Sequence, residues 1–323
     1  MSRVIAFLVG LIVMLLAAPA SAQAPRKVTI AVIPGVQDLI TSIMEREQLF
    51  KKYHLDAQIQ KVVSPTAVHP MIAEGKVDIG FGGFTVMAIA RSQGRPVIVF
   101  SVMFSPNNFV LVLNDSPLKS VADLRGKKIG IFGGPGATTS AILFIIGKRW
   151  HGVDLTKDAQ LITAPSPALA ALLDKKELDT ALLGTNESLQ LFLTGKYRIL
   201  LDLSEEWERR VGRAPAHVSM DTTEAFAKAH PDILRDFLRA YRDTVRLLRE
   251  RPELYEHYAK ILGIATKDGI ALLRERLTPR IIDVWDRKQM DAQNQFLEFM
   301  IDVLGEKFLK AVPAGLMTDA YNP

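Results

Sequence analysis

The chain has 323 residues, a formal net charge of +5 and no cysteine. That composition excludes disulfides, a cysteine-ligated metal and a thiol nucleophile. The basic residues are spread along the chain beside Asp and Glu, which argues against a nucleic-acid-binding face, and the length suffices for two domains with full cores.

The first segment differs in kind from the rest. Arg3 precedes an apolar run from Val4 to Ala18, short for a membrane span, and Ala20-Ser21-Ala22 has the small-residue spacing of a cleavage site. Residues 1–22 therefore read as a cleaved export signal, with a mature chain from Gln23. No later apolar run reaches the roughly 18 residues of a second span. The cleavage site carries no cysteine for a lipid anchor. A periplasmic, soluble product is expected.

From Lys27 the chain reads as strands alternating with helices. "KVTIAVIPG" (27–35) is a short apolar run ending in a Pro-Gly turn, followed by helical spacing at Leu39, Ile40, Ile43 and Met44. A second strand is expected over Ala57 to Val63. "MIAEGKVDIGFGG" (71–83) reads as a helix end, a turn, a buried strand and a glycine loop. Val97 to Pro117 reads as two strands around Ser105-Pro106-Asn107-Asn108. "KIGIFGGPG" (128–136) then matches 27–35 at an offset of 101 residues, with Lys128 on Lys27 and Pro135-Gly136 on Pro34-Gly35. At the same offset "LLDKKELDTALLG" (172–184) falls on 71–83, with Asp179 on Asp78 and Gly184 on Gly83. A shared offset in two separate places indicates a structural repeat. After the polar segment 203–220 the chain is helical. Ile233, Leu234, Phe237, Leu238, Tyr241, Val245 and Leu248 mark one helix, and Phe296 to Phe308 marks another.

Two repeated strand–helix units imply an α/β protein of two lobes, each with a mixed, mostly parallel sheet flanked by helices. The boundaries expected are 26–112 with 214–323 for lobe 1 and 113–213 for lobe 2. Two strands cross between lobes, the first at Leu111 to Asp115. In such sheets ligands bind beyond the carboxyl ends of the strands. The loops Pro34–Asp38, Gly82–Thr85, Gly133–Thr139 and Gly184–Glu187 then line one cleft.

The Gly133–Gly136 loop lacks the Lys-Ser/Thr of a nucleoside-triphosphate loop. Thr139 stands where the dinucleotide fingerprint has its third glycine. H-E-x-x-H, G-x-S-x-G and an acidic calcium loop are all missing, and the six histidines are scattered singly. Arg235, Arg239, Arg242, Arg246 and Arg249 share one helix face, read as solvated and paired with Asp232, Asp236 and Asp243.

"SPLKSVADLRGKKIGIFGGPGATTSAIL" (116–143) resembles the start of the second lobe in periplasmic solute-binding proteins of ABC transporters. The group in question takes up nitrate, taurine, aliphatic sulfonates and thiamine-pyrimidine precursors. Asp123-Leu124 and Gly126-Lys127-Lys128 match its pattern, "MIAEGKVDIGFGGFTVM" (71–87) is similar to its first-lobe pattern, and "HPDILRDFLRAYRDTVRLLRERPE" (230–253) is similar to its return helix. The resemblance implies the type II two-lobed binding fold, with a solute trapped by hinge closure and handed to a membrane permease. It implies a monomer without cofactor or metal, and not an enzyme. A ligand sensor shares the same cleft. The thiamine-pyrimidine synthases share the fold but use a cysteine-rich iron site that this chain lacks.

The ligand-binding residues implied are these. Gly136, Ala137, Thr138 and Thr139 would hold an anionic group at a helix N-terminus, or the threonines only cap the helix. Gly35, Gln37 and Asp38 form the first-lobe loop, where Asp38 either caps the helix or faces the cleft. Ser64 and Thr66 flank Pro65. Gly83, Phe84 and Thr85 lie against the ligand, with Phe84 either a ligand surface or core. Asn107 is a contact or a turn residue. Thr185, Asn186 and Glu187 occupy the second-lobe loop, and Asp202 is a contact or a helix cap. Asp38 and Glu187 together favour a solute with a donor group as well as an acceptor.

Overall fold

A computed structural model describes residues 24–62 and 65–323, so the expected export signal and Ser64 lie outside the described residues. The strands are β1 (Arg26–Val32), β2 (Leu55–Lys61), β3 (Ile79–Gly83), β4 (Val97–Phe104), β5 (Phe109–Leu113), β6 (Lys128–Ile131), β7 (Gln160–Thr163), β8 (Thr180–Leu183), β9 (Tyr197–Asp202) and β10 (Val218–Thr223). The helices that matter for the cleft and hinge are α1 (Val36–Arg46), α2 (Pro65–Ala73), α3 (Phe84–Ser92), α4 (Thr138–Trp150), α5 (Ser166–Asp174), α6 (Thr185–Leu193), α7 (Leu203–Val211), α8 (Pro231–Glu250), α9 (Leu254–Ile261), α10 (Lys267–Leu277) and α11 (Arg287–Leu304).

The strands form two five-stranded sheets of the same design, β2-β1-β3-β10-β4 and β7-β6-β8-β5-β9. In the first, β1 runs parallel to β2 and β3, while β10 runs antiparallel to β3 and β4. In the second, β6 runs parallel to β7 and β8, and β5 runs antiparallel to β8 and β9. The repeat read at an offset of 101 residues thus corresponds to equivalent strands: β1 with β6 and β3 with β8.

The crossing lies earlier than the sequence reading put it. Phe109–Leu113 belongs wholly to the second sheet, so the first crossing is the segment 105–108 and not Leu111 to Asp115, and the boundary at 112 moves with it. The two strands around Ser105-Asn108 exist, but they do not form a hairpin: β4 pairs with β10, and β5 with β8 and β9. The crossing backbone is tied down on both sides. Ser105 N donates to Arg280 O at 2.9 Å and Asn108 Nδ2 to Leu183 O at 2.7 Å. The return crossing runs through α7 and then into β10.

Burial follows the apolar pattern. All eight residues of β4 are buried. Helix α8 seals the first sheet, with Phe237 against Phe81 (centroids 6.2 Å) and Phe100 (6.3 Å). Two of its five arginines pair as the sequence reading expected, Arg239 with Asp236 and Arg246 with Asp243, both at 2.7 Å, while Arg249 reaches Asp283, Arg242 bonds Asn322, and Asp232 is taken by Arg26. The C-terminal helix α11 departs from the assignment of 214–323 to lobe 1. Its Phe296 ring meets Phe84 of the first lobe at 6.4 Å and Trp207 of α7 at 5.7 Å. On the second lobe, Arg149 of α4 pairs with Asp302 at 2.7 Å and stacks on Phe299. Helix α11 is a strap that packs on both lobes at once.

Candidate functional site

Four helices begin at the carboxyl ends of parallel strands: α1 after β1, α3 after β3, α4 after β6 and α6 after β8. They start at Gly35, Gly83, Ala137 and Gly184, and none has a side-chain cap. By contrast α7, α10 and α11 are capped by Asp202, Thr266 and Asp286. An uncapped helix start leaves amide donors and the positive end of the helix dipole available to a ligand. The turn into α4 needs its glycines. Gly133 and Gly134 have φ of 81° and 79°, where other residues are strained, and a Cβ on Gly133 would stand 2.9 Å from Ala137 Cβ.

The lobes meet at these helix starts. Thr85 N donates to Thr138 Oγ1 at 3.2 Å, Thr85 Oγ1 donates to Gly136 O at 3.1 Å, and the two hydroxyls lie 3.0 Å apart. Assigning the Thr138 proton to Thr85 Oγ1 satisfies all three bonds, so α3 and α4 are latched end to end. At the other pair, a Cβ on Gly35 would stand 3.6 Å from Asn186 Nδ2, which puts the starts of α1 and α6 face to face. Behind them, Gln190 Nε2 donates to Leu262 O at 2.8 Å, and Leu189 packs into the first-lobe core. The described conformation is therefore closed.

The amides at the helix starts differ in availability. In the first lobe, Gly82 N donates to Asp221 Oδ2 (2.8 Å), Gly83 N to His69 Nε2 (3.0 Å) and Phe84 N to His217 O (3.1 Å). With Thr85 N in the latch, this loop has its donors engaged. Burial pushes both His69 and His217 down to about 4, so each is a neutral imidazole, as the acceptor role of His69 Nε2 requires. Burial pushes the Asp221 carboxyl up to about 7. In the second lobe the amides of Thr138, Thr139 and Ser140 have no acceptor among the described residues, and neither have those of Thr185, Asn186 and Glu187. Helix α4 has no acidic residue in its first turn, whereas α1 has Asp38 and α6 has Glu187. The α4 start is thus the place where an anion meets free donors without a competing carboxylate.

Gly83, Thr85, Gly136, Ala137 and Thr138 come together at the latch, and Gly35 and Asn186 at the second junction. Thr185 Oγ1 donates to Asn107 O at 3.1 Å, which joins α6 to the crossing segment, while Asn107 Nδ2 is buried without a partner among the described residues. Thr139 is nearly buried beside the free α4 amides. Thr66 is placed by its backbone in the first turn of α2. One expected contact, Gln37, is corrected, and the open readings of Phe84 and Asp202 resolve to core and cap. Gln37 Oε1 accepts from Ile33 N (2.9 Å) and its Nε2 donates to Phe81 O (3.3 Å), so its amide braces β1 and β3. Phe84 is fully buried against Phe296 and is core. Asp202 caps α7 by accepting from Ser204 N and Glu205 N (3.0 and 3.1 Å), and its Oδ2 holds Arg280 at 2.8 Å. Asp38 does not cap α1; its Oδ2 pairs with Lys61 Nζ at 2.9 Å.

Sequence reasoning missed His69, Ser140 and Tyr258. Tyr258 is fully buried on α9 and its hydroxyl has no partner among the described residues; Ser140 Oγ is likewise buried and unpaired. In sequence Tyr258 is one apolar position of an amphipathic helix, and only the fold carries it to the cleft.

The NMT1/THI5-like family model matches residues 43–254. A putative thiamine biosynthesis protein of Haemophilus influenzae is 27% identical over 158 residues, which is 46% of this chain and 50% of that protein. A taurine-binding periplasmic protein of Escherichia coli is 23% identical over 232 residues, 68% of this chain and 69% of that protein. The chain spans about half the length of curated relatives such as the Haemophilus protein. Among solved structures, the alkanesulfonate-binding protein SsuA from Xanthomonas axonopodis pv. citri bound to MOPS superposes with a TM-score of 0.74 at 17% identity, covering 92% of this chain and 99% of that one. The two-lobed fold is shared.

Proposed function

This chain belongs to the NMT1/THI5-like family, and from that premise we propose that it is a periplasmic binding protein that traps a small anionic solute between its lobes and delivers it to an ABC-transporter permease. The observation that carries the reading is the bare start of α4. Three consecutive amides, at Thr138, Thr139 and Ser140, stand without acceptors among the described residues, beside the Thr85–Thr138 latch. A sulfonate or similar oxyanion is matched by several convergent N–H groups and by the helix dipole, and closing the lobes removes water that would weaken the contact. The taurine and alkanesulfonate relatives support this chemistry for the anionic end. The proposed action is holding and release by a monomer, without conversion of the solute.

The variant that tests it is Thr139→Asp. An acidic residue in the first turn of a helix favours the fold by about 0.3–1 kcal/mol, yet it places a carboxylate on the donors an anion would use. Isothermal titration with a panel of sulfonates and carboxylates is expected to give saturable binding by the mature protein and at least tenfold weaker binding by the variant, with melting temperature retained. Equal affinity in the two proteins would remove the anion from this site. Consumption of the bound solute by purified protein would overturn the non-catalytic reading.

A further inference from the structure

The two junctions between the lobes are equivalent by the internal repeat. Because β1 corresponds to β6 and β3 to β8, the pair α3/α4 maps onto the pair α6/α1. A hinge that treated the two lobes symmetrically would open both junctions alike. The junctions are built differently, however, because different elements flank them.

At α3/α4 the lobes share a core. Phe84 and Met87 of α3, Ile142 and Ile145 of α4, and Phe296 and Leu297 of α11 are all fully buried in one apolar cluster. Around that cluster α11 is tied down by polar contacts. Gln293 exchanges two hydrogen bonds with the backbone of Ala216 in the return crossing (2.6 and 3.2 Å). Lys148 Nζ of α4 donates to Val303 O at 3.2 Å, beside the Arg149–Asp302 pair. The Thr85–Thr138 contacts follow directly on Phe84.

At α1/α6 little of this exists. Among the described residues one hydrogen bond, from the exposed Gln190 to Leu262 O at 2.8 Å, ties α6 to the first lobe. Leu189 enters the first-lobe core, but Leu193, one turn on, is 43% exposed where it meets Gly269. Asn186 faces Gly35 with its Oδ1 unbonded among the described residues. The Arg280–Asp202 pair lies at the crossings themselves, where Ser105 N also meets Arg280 O, and so stays with the hinge. Parting a shared core exposes apolar surface and opens voids that close packing cannot share out. A hydrogen bond at the surface exchanges for one to water at little net cost.

We infer that the lobes swing apart on one side only: the α3/α4 junction under α11 stays closed and serves as the pivot, and the α1/α6 junction is the mouth through which the solute enters and leaves. The Thr85–Thr138 contacts then belong to the pivot and persist when the protein opens. The bare start of α4 keeps its geometry in both states, while the moving side is the one that carries Gly35, Asn186 and Glu187.

The chain has no cysteine, so paired spin labels can be placed without background. Lys196→Cys with Lys260→Cys spans the mouth side, and Gln93→Cys with Lys157→Cys spans the α11 side; all four residues are exposed. Pulsed dipolar distances on the dialysed full-length mature protein are expected to show a second, longer population for the mouth pair. The α11 pair is expected to show one population, with no lengthening. Both pairs lengthening together would overturn the inference in favour of a symmetric hinge. A single distance in both pairs would overturn it as well, since neither side then opens. Phe296→Leu, which keeps an apolar filler in the shared core, should give the α11 pair a longer population of its own; an α11 pair unmoved by this variant would overturn α11 as the cause. No solute enters the measurement, so its outcome is independent of the anion reading.

Discussion

Replacing Asp202 by Asn separates the two roles this residue plays. Its Oδ1 caps α7 through Ser204 N and Glu205 N, and its Oδ2 holds Arg280, with side chains only 4% and 10% exposed in the pair. Asparagine is as good a cap as aspartate, so the substitution removes the charge and keeps the capping oxygen. Breaking a buried ion pair from one side costs about 3–5 kcal/mol, because the remaining charge is left uncompensated. Glu205 at 3.6 Å and Glu208 at 3.8 Å still face Arg280, which places the cost near the lower end, about 3 kcal/mol. With an unfolding entropy of about 2.1 cal/mol/K per residue over roughly 300 residues, that is a fall of about 5 °C in melting temperature. Arg280→Met should be similarly destabilising, and the double variant should recover most of the loss, with a coupling of about 2 kcal/mol or more. Calorimetric melting and solute titration on all four proteins are the assay. An unchanged melting temperature in Asp202→Asn together with lost solute binding would refute the reasoning and put Asp202 back in the cleft. Additive single effects would refute the ion pair as the cause.

Phe296→Ala should remove the ring that α11 places against both Phe84 and Trp207. The expected loss is about 3–5 kcal/mol, read by chemical denaturation, with a solute affinity that falls as the strap loosens; a loss under 1 kcal/mol would mean the strap is not a packing element. The pH dependence of stability should show opposing arms. His69 and His217 are depressed from 6.5 to about 4, so their contribution is present at neutral pH and lost as pH falls toward 4. Asp221 is raised from 3.8 to about 7, so its contribution is present in acid and lost as pH rises toward 7 and beyond. Asp221→Asn keeps an acceptor for Gly82 N and should gain on the parent progressively between pH 4 and pH 8 in denaturation midpoints; parallel profiles would show that Asp221 does not titrate as assigned.

Much of the architecture is legible in the chain because it is local. Glycine turns after short apolar runs mark where strands give way to helices, and their recurrence at one offset gives two equivalent sheets. The strand Phe109–Leu113 was placed in the wrong lobe for a physical reason: an apolar strand pairs equally well on either side of a short turn, and its partners β8 and β9 are specified by tertiary packing. In the cleft, the turn into α4 was legible at Gly133 and Gly134, whose positive φ other residues strain to adopt, while the role of Thr138 and Thr139 stayed open between cap and contact. Gln37 was misread, and Asp202 was left open between contact and cap, because a polar residue at a strand end serves backbone bracing and ligand contact with the same atoms. Only the neighbours Ile33 N, Phe81 O and Arg280 decide between them. Tyr258 and His69 carry no local signal at all, because their roles depend on backbone from distant segments.

The interleaved sheets also set a schedule for how the molecule comes into being. Strand β4 has one strand neighbour, β10, which lies more than a hundred residues later in the chain. Until residues 218–223 have emerged, the seven apolar residues of "VIVFSVMF" have no strand beside them, and the second lobe is complete before the first can close. Pairings this distant fold slowly, and a long apolar strand waiting for its partner is a hazard for self-association. The topology therefore leaves β4 without its strand neighbour over most of the chain's synthesis, the interval in which that segment is most open to self-association.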